Sequence, residues 1–324
     1  MDELNELRKA ARNRMLICIG VVAALGIAAI LLLRQSGDRF LSFAILPVAL
    51  PIVLVPGLLL SFWVTKKPRQ RYRAAFKQAY VRRALQSVFT DLYYDPERGI
   101  SYDTIAATRM MNMGDRFRSE DYISGRYKEI PFEQSDVHIE EERQSTDSEG
   151  HTHTEYVTIF RGRWMIFDFN KTFKANVQIA QKGFPNAKRK RFFGKKEELF
   201  KPVEMESEVF NKQFRVFAQN EHDAFYIITP SFMERVQSLA AHNKGKLLFC
   251  FVGNRLHIAI HDNKDSFEPG SIFKRPDEEK LTQKLRVEIG VITQFIDELS
   301  LDNNLFKQSQ QSPAEIGGGS PWIN

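Results

Sequence analysis

Cysteine is nearly absent: Cys18 and Cys250 are the two in 324 residues. A disulfide-stapled scaffold is therefore excluded, and unpaired thiols fit a reducing compartment. The local motifs that announce much enzyme chemistry are missing too. No glycine-rich phosphate loop precedes a helix, and there is no nucleophile elbow and no HExxH pair of zinc ligands. Any active site would have to be assembled from dispersed residues, so binding is favoured over catalysis. No internal repeat is visible. Charge is the third absence, and it is local. Met15 to Leu33 is a run of 19 residues without a charge, and Phe40 to Val64 is a run of 25.

A bilayer core takes about 20 apolar residues to cross as a helix, so the two runs predict a transmembrane helical hairpin, with segments at 15–33 and 40–64. A secretory signal has a shorter apolar region and a small-residue cleavage site, and fits poorly. A buried core helix would be amphipathic, whereas these are apolar all round. Pro47, Pro51, Pro56 and Gly57 predict a kinked second crossing, with a re-entrant loop as the alternative. The lack of intramembrane charge argues against transport by this chain alone, although an accessory role in a transport complex is compatible with it.

Orientation follows from the basic flanks. Arg8, Lys9, Arg12 and Arg14 precede the first run, and Lys66, Lys67, Arg69, Arg71, Arg73 and Lys77 follow the second. The short connection holds only Arg34 and Arg39. Both termini, and the soluble remainder, are expected on the cytoplasmic side of an inner membrane.

The remainder contains most of the 26 phenylalanines, enough for a real core. The formal net charge is +6, and the segment from Lys182 to Lys201, with eight basic and two acidic residues, accounts for all of it.

The periodicity predicts a helical stalk over 67–91, with Tyr72, Phe76, Ala79, Tyr80, Arg83, Ala84, Val88 and Phe89 on one stripe. A short helix follows at about 103–111. Strands are predicted at 121–127, 130–140, 155–170 and 175–181, with a turn or bulge at Arg161-Gly162-Arg163 and a mobile polar loop over 140–154. Further strands are expected at 213–218 and 224–228. A helix follows Thr229-Pro230-Ser231, with Ser231 and Glu234 as a capping box. A hairpin of 246–252 and 255–260 turns at Gly253-Asn254. Leu281, Leu285, Ile289, Ile292, Phe295, Ile296 and Leu299 line one face of an amphipathic helix over 277–299. The order of elements predicts an α+β fold for 92–301, mixed but mainly antiparallel, with a possible split near residue 190 and a disordered tail over 302–324.

Three stretches carry a family likeness. They are Glu120-Asp-Tyr-Ile-Ser-Gly-Arg-Tyr127, Ile159-Phe-Arg-Gly-Arg-Trp-Met-Ile-Phe-Asp-Phe-Asn-Lys171, and a third in three pieces. Its pieces are Glu208-Val-Phe-Asn-Lys-Gln-Phe-Arg-Val-Phe217, Ala224-Phe-Tyr-Ile-Ile-Thr-Pro-Ser-Phe-Met-Glu-Arg235 and Phe267-Glu-Pro269. In these the chain resembles the bacterial domain of unknown function 3137 family, over roughly 70–306. The resemblance implies two crossings and a cytoplasmic domain. It implies no activity, cofactor or catalytic residue. Leu301 to Lys307 departs from the family, whose end is more basic and aromatic.

The strongest site candidate is Lys188, Arg189, Lys190, Arg191, Phe192, Phe193, Lys195 and Lys196, six cations around a phenylalanine pair. Near a membrane it reads as a contact with the anionic leaflet, the phenylalanines inserting. Phosphate neutralisation on nucleic acid is the weaker reading, and a solvated loop the plain one. His138, His151 and His153 flank the polar loop, but a His-x-His pair there is read as solvent-exposed, so no metal is assigned. His257 and His261 share a strand face and read as surface histidines. Asp168, Asn170 and Lys171 could line a pocket, and equally read as polar residues closing a half-buried strand. The expected partners are the lipid bilayer and a protein or ligand, with nucleic acid disfavoured.

Overall fold

The computed structural model describes residues 2–35, 39–146, 151–168, 176–185 and 200–299. In chain order the elements are α1 (Asp2–Gln35), α2 (Arg39–Phe76), a π turn (Lys77–Val81), α3 (Arg82–Gln86), β1 (Thr90–Asp95), α4 (Tyr102–Ala106), β2 (Arg116–Tyr127), β3 (Ile130–Thr146), β4 (Thr152–Asp168), β5 (Val177–Gln181), β6 (Lys201–Val203), α5 (Glu208–Gln213), β7 (Phe214–Ala218), α6 (Glu221–Ile227), α7 (Pro230–His242), β8 (Lys246–Val252), β9 (Arg255–His261) and α8 (Glu278–Leu299). They form two compact units. One is Met1–Val88 with Phe267–Ile289, and the other is Phe89–Ser266 with Gly290–Asn324. The expected division near residue 190 lies outside the described residues.

In the helical unit, α1 and α2 lie side by side and antiparallel. Val22 of α1 meets Gly57 of α2, where a Cβ would sit 2.6 Å from a valine methyl. A small residue there lets the two helix backbones approach closely. Among the described residues one helix, over Asp2–Ala28, is long and apolar enough to cross a membrane. It exposes Leu16, Ile17, Val21, Leu25, Ile27 and Leu31. The described side chains of α2 expose Val55, Leu59, Phe62, Trp63 and Val64.

The π turn changes the expected stalk stripe. Tyr72 and Phe76 are buried, and the next buried apolar positions are Val81, Leu85 and Phe89, in place of Ala79, Arg83 and Ala84, while Val88 is exposed. One extra residue in the turn shifts the face of the positions beyond it. Lys77, the first residue of the π turn, is buried as well: its side chain is 5% exposed and lies 3.4 Å from the Glu268 carboxylate. Arg73 donates to the same carboxylate. Lys284 donates to the Glu268 carbonyl at 2.5 Å, and Glu288 accepts the Phe267 N–H at 2.9 Å. The Phe267-Glu-Pro269 stretch is thus tied to α2, the π turn and the first part of α8 by charge.

In the other unit the described strands form one nine-stranded antiparallel sheet, in the order β1-β2-β3-β4-β9-β8-β5-β7-β6. One face presents Val137, Ile139, Phe160, Trp164, Leu248, Cys250 and Ala259, covered by Ile100, Ile105 and Met110 to Met113. On the other face Phe249 meets Phe295 of α8 at 6.3 Å, and Phe251 meets Phe232 of α7 at 5.8 Å. Each such phenylalanine contributes about 2–3 kcal/mol by leaving water. The sheet is therefore two-sided, which explains strands as continuously apolar as Leu247 to Phe251.

Several expectations are corrected. Residues 224–227 belong to α6, with Ile228 as its C-cap: Asn220 caps the His222 N–H, Glu221 and Asp223 occupy the first turn, and Ala224 and Ile227 are buried at helical spacing. Local capping outweighs the β propensity of Phe225, Tyr226, Ile227 and Ile228. Helix α7 is capped by Thr229, which accepts the Phe232 N–H, in place of the Ser231/Glu234 box. Arg161-Gly162-Arg163 makes no turn; β4 runs through it, with Gly162 at φ +151° because a Cβ there would lie 2.0 Å from the Ile260 carbonyl oxygen. The predicted loop at 140–154 is largely strand, β3 and β4 pairing out to Thr146 and Thr152, with 147–150 outside the described residues. The helix near 103–111 is the shorter α4, and β1, β6 and α5 had no counterpart in the sequence reading.

Replacing Glu268 with Gln leaves the buried Lys77 ammonium with a weaker partner. Thermal unfolding of the full-length protein in mild detergent is expected to show a loss of about 1–3 kcal/mol, the partial exposure of Glu268 keeping it below a fully buried pair. An unchanged midpoint would remove the clamp from the account.

Candidate functional site

Two places bring chemically active side chains together. The first lies in the helical unit, where both apolar helices turn polar. Leu7, Ala10 and Arg14 of α1 and Lys67, Pro68 and Arg71 of α2 line a cavity of about 200 Å³. Three of its six lining residues are cationic and none is acidic. The pattern arises from helix periodicity: 7, 10 and 14 fall on one face of α1 at i, i+3 and i+7 spacing, and Arg71 of α2 stands four residues after Lys67 and three after Pro68. Arg8, one residue off that face, turns inward and donates to the Ile272 carbonyl at 2.9 Å.

The second place is a buried ionic centre in the sheet. Asp136 of β3 lies opposite Arg163 of β4, and both are buried. A bulge in β2 between Glu120 and Ile123 puts Asp121 at φ +58°, and its buried carboxylate accepts from the Tyr94 hydroxyl at 2.8 Å. Ser266 donates both its N–H and its hydroxyl to Asp136, the hydroxyl at 2.8 Å. Burial dominates and pushes the Asp136 carboxyl up to about 8, with the Asp121 charge adding to the rise, against the Arg163 guanidinium and the two Ser266 donors. Gln134, two residues along the same strand face, buries an amide with no hydrogen-bond partner among the described residues, at a cost of about 1–3 kcal/mol per orphaned group.

On the opposite face Trp164 Nε1 donates to His257 Nδ1 at 3.2 Å. That bond requires a neutral ring protonated at Nε2. Burial, helped by Arg255, lowers His257 to about 4. Cys250, across the strand pair from His257, is also buried, and desolvation raises its thiol. It is a packing residue and no nucleophile. His257 is therefore a core histidine, which corrects the surface assignment. His261 is part-buried, accepts the Arg161 N–H at 3.1 Å, and its pKa is lowered by burial. Alternation marked one face of β9 correctly, but that face is covered by Phe160 and Phe184, not by water.

The remaining candidates scatter. Lys188 to Lys196 lies outside the described residues, as do Asn170 and Lys171. Asp168 pairs with Arg255 at 2.9 Å, and Arg255 reaches Glu133 at 3.7 Å, giving a part-exposed ion triad. His138 bonds Thr158 at 2.9 Å. It sits opposite Arg161, while His153 sits opposite Ser145. Seven strand residues, about 23 Å, separate those positions, so the three histidines do not converge. The sequence reading passed over Asp121, Asp136, Arg163 and Ser266. The available signal was a charge inside an apolar strand, Arg163 beside Trp164; Asp136 follows the polar Glu133, Gln134 and Ser135 and carries no such signal.

Residues 158–301 match the family described as "Protein of unknown function (DUF3137)", and the chain resembles that family there. No curated protein matches the chain. A solved structure, titled the crystal structure of the mycobacterial trehalose monomycolate transport factor A, TtfA, aligns with a TM-score of 0.34 and 9% identity, over 71% of this chain and 94% of that one.

The Asp136 centre makes a signed pH prediction. The folded chain holds this proton up to about pH 8, whereas an unfolded aspartate releases it near 4. The stability it contributes is complete below about pH 4 and is lost as pH rises toward 8. His257, depressed to about 4, acts oppositely but only below its unfolded value of about 6.5. Denaturant unfolding of the full-length protein between pH 6.5 and 8 should therefore show falling stability, and Asp136→Asn should flatten the slope. Equal slopes in both proteins would rule out a protonated Asp136.

Proposed function

We propose that the chain is a membrane-anchored cytoplasmic binding module, an adaptor at the inner face of a bacterial membrane, with α1 and α2 as two crossings. The observation that carries this is the apolar surface of α1. Leu16, Ile17, Val21, Leu25, Ile27 and Leu31 stay exposed in the folded chain, an area that water does not tolerate and lipid does. Trp63, 76% exposed at the end of the second apolar run, suits the membrane–water interface. Ten basic residues flank the polar ends of the two runs against two in the connection, which supports both termini and the sheet unit on the cytoplasmic side. The Lys188 to Lys196 segment would add a second contact with the anionic leaflet; its composition supports that reading. The sheet unit would then present a protein or small ligand at the membrane.

A membrane-bound enzyme with a dispersed site is the second reading. The displaced pKa of Asp136 beside Arg163 favours it, because such groups concentrate at reaction centres.

Extraction and topology test the proposal together. Membranes carrying the full-length protein are washed with alkaline carbonate, and inverted vesicles are then treated with protease. The expected result is retention in the pellet and digestion of the sheet unit from the exposed side. Release by carbonate would refute the anchor, and protection of the sheet unit would reverse the orientation.

A further inference from the structure

The cavity between α1 and α2 lies at a depth that its neighbours fix. Arg14 directly precedes the uncharged run that starts at Met15, and Lys67 and Arg71 stand three and seven residues beyond Val64. At 1.5 Å of rise per residue the last two are about 5 and 11 Å outside the apolar core. The headgroup layer is about 5–8 Å thick on each side. Arg14 and Lys67 thus fall within it, and the backbone of Arg71 lies about 3 Å beyond it, within reach of a long side chain. Exposed Trp63 on α2 and exposed Leu16 and Ile17 on α1 lie just below.

The charge of the cavity is uncompensated. No ion pair joins Arg14, Lys67 or Arg71 to an acid among the described residues, although Glu6 stands one position before Leu7 and is engaged by Lys9 at 2.8 Å. Other cations of this unit, Arg73 and Lys77, are neutralised by Glu268. Three like charges held around one cavity repel one another, an arrangement that an anion relieves. Leu7, Ala10 and Pro68 supply apolar walls, which a bare inorganic ion does not use and an acyl-glycerol does.

We propose that this cavity binds the phosphate of an anionic phospholipid headgroup, with Arg14, Lys67 and Arg71 as its cationic contacts and the lipid chains lying along α1 and α2. The proposal rests on the membrane-anchored reading and deepens it. Arginine offers planar, paired donors to phosphate oxygens and lysine a point charge. Each basic residue near an anionic surface is worth about fivefold in affinity, so the three together select an anionic over a zwitterionic headgroup by up to about a hundredfold.

The test uses the full-length protein, purified in mild detergent, delipidated, and titrated with phosphatidylglycerol or phosphatidylcholine under native mass spectrometry. Phosphatidylglycerol is expected to be retained at least tenfold better, and the triple variant Arg14→Gln/Lys67→Gln/Arg71→Gln to lose that preference. Lys212→Gln, which removes an exposed charge of the sheet unit, should leave it intact. The single variant Lys67→Gln, at an exposed position, should give an intermediate loss and guards against a folding defect. Equal retention of the two lipids, or equal loss in the remote control, overturns the site. Inorganic phosphate at millimolar concentration is the competitor. A preference it leaves untouched supports the lipid source, and full displacement overturns that source in favour of soluble phosphate. Carbonate extraction separates the two levels. A protein that stays in the membrane but shows no lipid preference loses this site alone, whereas one that is extracted loses the anchor on which it rests.

Discussion

Two-sided burial of the antiparallel sheet is the constraint on which the rest of that unit depends. With Met110 to Met113 and α4 over one face, and α7 and the end of α8 over the other, no strand near the middle has a wet side. Polar groups there must satisfy each other. Trp164 donates to His257, Gln178 donates to the Thr108 carbonyl at 3.0 Å, and Ser266 closes over Asp136. The same desolvation lowers a histidine, raises a thiol and raises a carboxyl, because in every case it disfavours the charged form.

The helical unit distributes its apolar surface differently. The outward faces of α1 and the described part of α2 are apolar, and their contact is made by Val22 against Gly57. Charge is confined to the polar ends, where it divides into two populations. Arg73, Lys77 and Lys284 are engaged by Glu268 and Glu288, which fix the stalk. Arg14, Lys67 and Arg71 are gathered around a cavity without an acid.

The legibility of the sequence varied with the physics of each element. The hairpin of β8 and β9 and the helix α8 were readable because Gly253 takes the φ of +58° that a tight turn needs, and because seven apolar residues at helical spacing face a core. α6 was misread because Phe225, Tyr226, Ile227 and Ile228 resemble a strand, while the deciding contact, Asn220 to the His222 N–H, is a cap that such residues do not advertise. The stalk stripe holds at Tyr72, Phe76 and Phe89 and fails at Ala79, Arg83 and Val88 between them, since a π turn has no periodic signature. The Asp136 centre was hidden for a different reason: Asp121, Asp136, Arg163 and Ser266 come from separated segments, and only strand register and a bulge bring them together.

By itself, then, the sequence determined where charge is absent over two long apolar runs, that basic residues flank their outer ends, and that the remainder has an α+β fold, because these depend on composition and short-range periodicity. The tertiary structure decided which cations are matched and which are left around a cavity, that His257 belongs to the core, and that a carboxylate is held against its usual ionisation. Those outcomes depend on which distant residues exclude water from which, and sequence spacing does not encode that.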